Sequence, residues 1–519
     1  MSEQMAPVVE TSSGKLRGTM VEGVAAFKAI PYAAPPTGAR RFLPPANVEP
    51  GSGVRDATAY AGRAPQAGLR AGTRPELETF SGAPDTSPDS EDCLTLHVWS
   101  PSTTDGAKRP VMVWLHGGAF SYGSANSERL RGSRLAKRGD VVVVTVNHRL
   151  NIFGHLDLSG VGGSDYRHSG NAGVLDLVAA LTWVRDNIAQ FGGDPRNVTI
   201  FGESGGGGKV STLLAMPEAV GLFHKAIIQS GAAVRLRTKE RALQLTQLVL
   251  QELGITTAAN DQLQRLPVAN LLAAIKPAER ALGPSQYRLF DRYPFGPVVD
   301  GEVLPRQPFD PDAPDIMSDI PLIIGDMKDE TASFLAPDDL VWHRSLTEAQ
   351  MVDRVHAIAG ADTSRVVETY RRLYPNASPA DRLIATTTDC NFRIRSLTLA
   401  QRRAAKATAP VWMYAFEWET PVHGGKMKAP HAMDVPFTFD TIDLTNATDG
   451  SDTARRLAET MSGVWTTFAR IGVPDHPLIP RWPAYRIPER ATLILDAKCR
   501  IVNDPRGETR ALWQDITRS

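Results

Sequence analysis

The sequence is poor in cysteine, in net charge and in long apolar runs. Its 519 residues include only three cysteines, Cys93, Cys390 and Cys499, and none forms a C-x-x-C pair. Because an odd number of cysteines cannot pair completely within one chain, this pattern favours a reducing compartment and gives no sign of a structural zinc site. Lysine plus arginine equals aspartate plus glutamate at 57 each. No global charge therefore attracts nucleic acid or an anionic membrane surface.

Signals for export or for membrane insertion are also missing. The opening stretch MSEQMAPVVETSSGKLRG has no basic segment that leads into an apolar run. No segment approaches about 18 uninterrupted apolar residues, the length that a membrane helix needs. We therefore expect a cytoplasmic protein with no nucleic-acid or membrane partner. Composition leaves a monomer and a homodimer equally open.

Apolar runs alternate with helical patterns along the chain. Residues 111–118 and 141–149 are too apolar to alternate with polar residues, as expected of central strands that are covered on both faces. Residues 173–190 place their apolar side chains on one helical stripe. The alternation predicts an α/β protein with a mainly parallel central sheet flanked by helices. Two blocks, around 238–281 and 346–407, are predicted to be helical insertions.

The glycine-rich stretch GESGGGGKVS, residues 202–211, has two interpretations. A phosphate-binding loop requires G-x-x-x-x-G-K-[ST], but Glu203 replaces the first glycine and Val210 follows Lys209. A carboxylate inside the loop would also repel the phosphates. The alternative is a G-x-S-x-G nucleophile elbow, in which a strand leads into a tight turn at Ser204 and a helix follows. The strand-like NVTIF before the turn favours the elbow.

A second glycine-rich loop supports acyl-transfer chemistry. The segment LHGGAF, residues 115–120, directly follows a predicted strand. Such a loop supplies backbone N–H donors for the oxyanion that develops when a serine attacks a carbonyl carbon. The amide of Gly205, just after Ser204, lies at a predicted helix N-terminus, whose dipole adds to the same effect.

Five segments in this order resemble the type B carboxylesterases, a family that includes cholinesterases and bacterial p-nitrobenzyl esterases. They are SEDCLTLHVWSP (90–101), WLHGGAF (114–120), NAGVLDLVAALTWVRDNIAQFGGDPRNVTIFGESGGG (171–207), GPVVDG (296–301) and GDMKDE (325–330). The resemblance covers about residues 8–515. It implies the α/β-hydrolase fold, a single large catalytic domain over residues 1–519, and ester hydrolysis without a metal or organic cofactor. The substrate that we expect is a small neutral ester.

The resemblance also implies a catalytic triad in the chain order of this fold, serine, acid, histidine. The nucleophile is then Ser204, the acid Glu330 and the base His431. Spacing alone leaves Asp329 as an equal rival for the acid and His423 for the base. The match to the family motifs favours Glu330 and His431.

The oxyanion donors implied by the resemblance are the backbone amides of Gly118, Ala119 and Gly205. Glu203 resembles a family residue that steadies charge near the catalytic histidine. The chain departs from the family pattern at two of these positions. Gly205 stands where alanine commonly follows the nucleophile, and the methyl group of Ala119 slightly narrows the side that accepts the alcohol.

Further implied features concern the scaffold. Arg41 with Glu91, and Arg149 with Asp176, resemble family ion pairs that tie loops to the core. Cys93 matches a half-cystine of the family, but the expected partner region GRAPQ, residues 62–66, has no cysteine.

Phe120 and Phe334 are candidates for lining the substrate pocket, with plain core packing an equal alternative for each. Two other functions stay open from the sequence. One is a non-catalytic binding module on the same fold. The other is a hydrolase that acts mainly on amides, carbamates or lactones, since these share the acyl-enzyme route.

The loop that leads to the SEDCL motif bears on substrate choice. Residues 64–89 contain no tryptophan or tyrosine and only Phe80. An aromatic cage is what selects a quaternary ammonium group, so no preference for choline esters is expected. Arg63, Arg70 and Arg74 would repel a cation if they faced the pocket, although solvation of a surface loop is the more ordinary role.

Overall fold

The computed structural model describes residues 6–67, 75–78, 80, 82–255, 260–282 and 294–517. The strands in these ranges are β1 (Val8–Thr11), β2 (Gly14–Arg17), β3 (Thr19–Val21), β4 (Val24–Pro31), β5 (Val54–Asp56), β6 (Thr95–Ser100), β7 (Arg109–Leu115), β8 (Val142–Val146), β9 (Gly193–Glu203), β10 (Lys225–Gln229), β11 (Arg237–Thr238), β12 (Val298–Val299), β13 (Leu322–Met327), β14 (Val411–Phe416), β15 (Ala491–Leu495) and β16 (Arg500–Asn503). The α-helices are α1 (Pro75–Glu78), α2 (Ser133–Gly139), α3 (Asn151–His155), α4 (Ala172–Asn187), α5 (Gly205–Leu213), α6 (Lys239–Glu252), α7 (Asn260–Arg265), α8 (Val268–Ala281), α9 (Ala332–Leu335), α10 (Asp339–Trp342), α11 (Glu348–Ala359), α12 (Thr363–Leu373), α13 (Pro379–Thr388), α14 (Ile394–Lys406), α15 (Asp434–Phe439), α16 (Asp452–Ile471) and α17 (Gly507–Ile516).

The central sheet has eleven strands among the described residues. Their order is β16-β15-β14-β13-β10-β9-β7-β8-β6-β4-β3. The stretch from β15 to β8 is parallel throughout. The remaining strands, β16 at one end and β6, β4 and β3 at the other, pair antiparallel with their neighbours. The mainly parallel sheet predicted from the sequence is confirmed.

Helices cover both faces of this sheet, which explains why the central strands are mainly apolar and do not alternate. Every residue of β7 and of β8 is buried. On one face, α4 buries Val174, Leu177 and Leu181 in a core shared with β7 and β9. On the other face, α16 buries Trp465 and Phe468 in a second core with alternate residues of the same strands. Two-sided burial removes apolar surface from water on both faces of each central strand.

Both segments in which helical insertions are predicted contain helices. The first holds α6, α7 and α8, with residues 256–259 outside the described ranges, and the second holds α11 to α14. None of the described helices combines the length and the apolar character that crossing a membrane requires.

The two predicted ion pairs are confirmed. The Arg41 guanidinium binds the Glu91 carboxylate through two hydrogen bonds of 2.6 Å, and it also donates to carbonyl oxygens at the end of α7. Arg149 binds Asp176 at 2.6 and 2.8 Å, with both side chains buried. Bidentate geometry of this kind is the strong form of an arginine–carboxylate contact. Cys93 is a buried free thiol.

The parallel strands bring distant loops to one edge of the sheet. The loop 116–120 follows β7, Ser204 follows β9, Glu330 follows β13, and His431 lies between β14 and α15. Because β7, β9, β10, β13 and β14 are consecutive neighbours in the sheet, their carboxyl ends lie side by side. Such an edge is where ligands bind in open α/β sheets.

Candidate active site

Ser204 occupies the tight turn between β9 and α5. Its φ and ψ are 56° and −121°, an unfavourable conformation for a residue with a side chain. The turn is held because the Ser204 amide donates to the carbonyl of Gln229 at 2.8 Å. A methyl group on Gly206 would lie 2.0 Å from the carbonyl oxygen of Leu115. Only glycine therefore lets α5 begin this close to β7, and the predicted elbow has the geometry its motif requires.

The loop 116–120 lies directly against the start of α5. Two of its residues, Ala119 and Phe120, have positive φ values of 50° and 61°. A methyl group on Gly205 would lie 2.4 Å from the backbone nitrogen of Ala119. The absence of the usual alanine after Ser204 thus has a steric reason, since the loop fills that space. Gly118 precedes Ala119 in the same turn and accepts hydrogen bonds from the two amides that follow Phe120.

Glu330 and His431 are in direct contact. His431 Nδ1 lies 2.5 Å from Glu330 Oε2, and the other carboxylate oxygen accepts a 2.9 Å hydrogen bond from the amide of Met327. The His431 amide also donates to the Glu330 carbonyl at 3.2 Å. Glu330 has no exposed surface. An Nδ1–H that donates to this carboxylate leaves Nε2 unprotonated and able to accept a proton.

The other imidazole nitrogen faces the elbow. His431 Nε2 lies 3.1 Å from Glu203 Oε1, and Glu203 directly precedes Ser204. In the part of the chain that the structure describes, no hydrogen bond joins Ser204 Oγ to this nitrogen. Such catalytic hydrogen bonds are often long or poorly aligned until substrate is bound.

Three buried carboxyl groups surround the imidazole. Burial, together with the nearby charges of Asp434 and Glu330, raises the pKa of Glu203 to about 8. The attraction of His431 opposes this shift. Burial also raises the pKa of Glu330 well above its usual range, while the nearby Ser230 hydroxyl and the hydrogen bond from the Met327 amide oppose that shift. A positive charge on the imidazole would favour the ionised forms of these carboxyl groups, because opposite charges stabilise each other.

Asp434 continues the polar network behind the site. One of its carboxylate oxygens accepts hydrogen bonds from Gln229 at 2.8 Å and from the Tyr414 hydroxyl at 2.9 Å. Burial raises the pKa of Asp434, and these two hydrogen bonds act in the opposite direction. The network holds the segment that follows His431, because Asp434 is the first residue of α15.

The rival residues lie elsewhere. The Asp329 backbone bonds to the carbonyl of Ala429 at 3.1 Å. Burial raises the pKa of Asp329 to about 6, and the neighbouring Lys328 and Lys428 oppose the shift. His423 is exposed, and its ring centre lies 6.2 Å from that of Trp342. Contact with the imidazole of His431 therefore distinguishes Glu330 from Asp329.

Two phenylalanine rings pack on His431. The ring centres of Phe334 and Phe392 lie 5.0 and 4.9 Å from that of the imidazole. Sequence reasoning missed Phe392, which lies in a π-helical turn at residues 389–393 and matches no motif. Phe120 instead packs edge-on against His155, with ring centres 5.5 Å apart, and is 8% exposed.

Comparisons with known proteins identify the family of the chain. Residues 5–513 match the carboxylesterase family. The para-nitrobenzyl esterase of Bacillus subtilis is 39% identical over 507 residues, which span 97% of each chain. The phenmedipham hydrolase of Pseudarthrobacter oxydans is 32% identical, over 94% of this chain and 95% of its own length. The structure of Geobacillus stearothermophilus carboxylesterase EST55 superposes with a TM-score of 0.84 at 40% identity, covering 98% of this chain and 100% of the other.

The chain therefore belongs to the carboxylesterase family and has the α/β-hydrolase fold. It is a serine carboxylesterase, which hydrolyses carboxylic esters. Neither the matched family nor the named esterases favour a non-catalytic binding module, or a hydrolase that acts mainly on amides, carbamates or lactones.

Proposed function

We propose that the reaction proceeds through an acyl-enzyme on Ser204, with His431 as general base and Glu330 as the acid of the triad. The observation that carries this assignment is the 2.5 Å contact between His431 Nδ1 and Glu330, with the opposite nitrogen directed at the elbow. The backbone amides of Gly118, Ala119 and Gly205 act as oxyanion donors. The close approach of Ala119 to Gly205 supports this role.

In the acylation half, Ser204 Oγ attacks the ester carbonyl carbon while His431 Nε2 accepts the hydroxyl proton. The carbonyl oxygen becomes an oxyanion, which the three amides stabilise more strongly than the planar carbonyl. Glu330 holds the imidazole in the correct tautomer and supports its charge. The intermediate then collapses, the carbon–oxygen bond to the alcohol breaks, and the alcohol leaves with the proton from His431.

In the deacylation half, water takes the place of the alcohol. His431 Nε2 accepts a proton from the water as its oxygen attacks the acyl carbon of the Ser204 ester. The second tetrahedral intermediate uses the same oxyanion donors. It collapses to the free carboxylic acid, and the proton on His431 returns to Ser204 Oγ. Glu203 supports the charged imidazole in both halves from its place beside Nε2.

We propose further that the substrate is a small neutral ester, and that the chain acts in the cytoplasm as one catalytic domain. The balanced charge of the sequence supports a neutral substrate, because no global field attracts an ionic one. The odd number of cysteines and the unpaired match of Cys93 to a family half-cystine support a reducing compartment.

The Glu330→Gln variant is expected to lower kcat by about 10² to 10⁴-fold while the fold is retained. A glutamine cannot support the imidazolium, and it allows the wrong histidine tautomer. Steady-state hydrolysis of p-nitrophenyl butyrate measures the effect, with circular dichroism to check the fold.

The matched control for Glu330→Gln is Asp329→Asn, which makes the same change of carboxylate to amide at the neighbouring buried residue. We expect it to keep kcat within about threefold of the wild type, since Asp329 does not touch the imidazole. The opposite ranking of the two variants would move the acid of the triad to Asp329.

Choline esters are expected to be poorer substrates than uncharged esters of the same shape. Phe80, the one aromatic residue of the loop 64–89, is buried in a hydrophobic core, so it offers no face to a cation. Arg63 forms ion pairs with Asp85 and Asp89 at 3.5 and 2.9 Å, which supports the role of loop stabilisation. Arg70 and Arg74 lie outside the described residues.

The measurement compares butyrylcholine with 3,3-dimethylbutyl butyrate, in which a tert-butyl group replaces the trimethylammonium group. We expect a higher kcat/KM for the uncharged ester, because desolvating the cation is not offset by an aromatic cage. An equal or higher kcat/KM for butyrylcholine would reveal a cation site.

A further inference from the structure

Lys209 is a charged residue inside the catalytic scaffold, and the mechanism above gives it no part. It lies on α5, five residues after Ser204, and its side chain has no exposed surface. Burying an ammonium group is costly unless specific partners compensate. The failed phosphate-loop interpretation leaves the presence of a lysine at this position unexplained.

Lys209 contacts the loop 116–120, which is called the oxyanion loop below because it carries the proposed oxyanion donors Gly118 and Ala119. Its Nζ donates a 2.6 Å hydrogen bond to the carbonyl oxygen of His116, and it lies 5.4 Å from the ring centre of Phe120. His116 and Phe120 are the first and last residues of the loop 116–120. A single side chain thus contacts both ends of the segment that carries the amides of Gly118 and Ala119.

This loop needs such support because its backbone is strained. Ala119 and Phe120 both have positive φ values, of 50° and 61°. Residues with side chains persist in this region only when the surrounding structure holds them there. The His116 carbonyl also requires a donor, since a buried carbonyl without a partner is strongly unfavourable.

Lys209 can donate a hydrogen bond to the His116 carbonyl in either of its protonation states. Burial lowers the pKa of Lys209 to about 7, and the charge of Glu203 opposes that shift. Both the ammonium and the amine carry N–H groups. Burial together with Lys209 holds the pKa values of His116 and His148 well below the usual range, so these stacked imidazoles are neutral.

We propose that Lys209 is a positioning residue for ester hydrolysis, which fixes the oxyanion loop through its contacts with the His116 carbonyl and the Phe120 ring. The proposal rests on the proposed function, because it assumes that the amides of Gly118 and Ala119 bind the oxyanion. Lys209 itself touches no reacting atom. Its effect is on where those two donors lie when the tetrahedral intermediate forms.

The test uses the full chain with Lys209→Met and Lys209→Gln. Methionine fills similar space without a donor, whereas glutamine keeps a shorter neutral donor. We expect Lys209→Met to lower kcat by about 10- to 100-fold, less than the loss of a whole oxyanion donor, with KM within about threefold. Lys209→Gln is expected to lower kcat as well, by less than methionine does. Lys209→Met leaves the buried His116 carbonyl without its donor, so its melting temperature is expected to fall slightly, and that of Lys209→Gln, which keeps a donor, by less.

Lys225→Met is the matched control. Lys225 is also a buried lysine, with 8% exposure, and its Nζ bonds to the Asn197 side chain. It stands at the start of β10, at the opposite end of the strand from the active site. We expect its kcat to equal that of the wild type.

A second readout reports on the oxyanion site directly. A trifluoromethyl ketone adds to a catalytic serine and places an oxyanion among the donors, whereas the methyl ketone of the same chain length binds without this addition. Across the Lys209 variants, the inhibition constant of the trifluoromethyl ketone is expected to rise by the same factor by which kcat/KM falls. Binding of the methyl ketone is expected to stay unchanged.

All rates are counted per active site, by titration with an organophosphonate. The proposal is overturned if both variants keep kcat and trifluoromethyl ketone affinity within about threefold of the wild type. It is also overturned if the loss of total activity is fully explained by a loss of titratable sites, because Lys209 would then be needed for folding alone. A wild-type enzyme that forms no adduct on Ser204 would instead contradict the proposed function.

Discussion

Replacing Ser204 by alanine is expected to lower kcat by about 10⁴- to 10⁶-fold, because the variant has no hydroxyl oxygen to form the acyl-enzyme. The fold is expected to survive. Alanine is smaller than serine, and the turn is held by backbone hydrogen bonds that the substitution leaves in place. Hydrolysis of p-nitrophenyl butyrate measures the rate, and circular dichroism checks the fold.

Two further observations make the Ser204→Ala experiment specific. An organophosphonate is expected to add one adduct to the wild type, on the peptide that contains Ser204, and none to the variant. Ser462→Ala is the control. Ser462 is a buried serine on α16 whose hydroxyl donates to the Ala458 carbonyl of its own helix, and its loss is expected to change kcat by less than about threefold. If Ser204→Ala kept more than about a thousandth of the wild-type kcat, the proposed triad would be wrong.

Replacing His431 by alanine is expected to be as damaging as replacing Ser204, with kcat lowered by about 10⁴- to 10⁶-fold. Without the imidazole, nothing accepts the Ser204 proton or returns it to the leaving alcohol. The rate at which an organophosphonate labels Ser204 is expected to fall in parallel, since the same base activates the serine. Steady-state hydrolysis of p-nitrophenyl butyrate measures kcat, and release of p-nitrophenol from a p-nitrophenyl phosphonate measures the labelling rate.

His423→Ala is the matched histidine control. His423 is exposed and packs near Trp342, so we expect its removal to leave kcat within about threefold of the wild type. Because His431→Ala leaves Glu330 buried without its partner, its melting temperature is compared with that of Glu330→Gln. A His431 variant that is folded and still active would move the base elsewhere.

Some features of the site depend on residues that are close together in the chain, and these could be predicted from the sequence. Others depend on contacts between distant segments. The elbow at Ser204 depends on glycines close to it in the chain, so a short motif predicts it. Spacing could not separate Glu330 from Asp329, since both follow β13 and only contact with His431, 101 residues away, distinguishes them. Phe392 was missed because a π-helical turn that places a ring on the imidazole has no short motif.

The role proposed for Lys209 could not be predicted from the sequence either. A lysine after a run of glycines suggests a phosphate-binding loop. The residues at positions 203 and 210 exclude that function, and the sequence pattern indicates no other role for Lys209. The hydrogen bond to the His116 carbonyl joins residues 93 positions apart. No pattern within α5 contains that information.

By itself, the sequence determined the features that depend on residues close together in the chain. Mainly apolar strands that do not alternate require burial on both faces, and glycine is required where backbones approach closely. The α/β class and the elbow therefore follow from local chemistry. Only the tertiary structure decided which acid contacts the histidine, which rings pack on it and which side chain contacts the loop 116–120. These contacts depend on the order of β7, β9, β10, β13 and β14 in the sheet. That order is set by the packing of the whole core, which joins residues hundreds of positions apart.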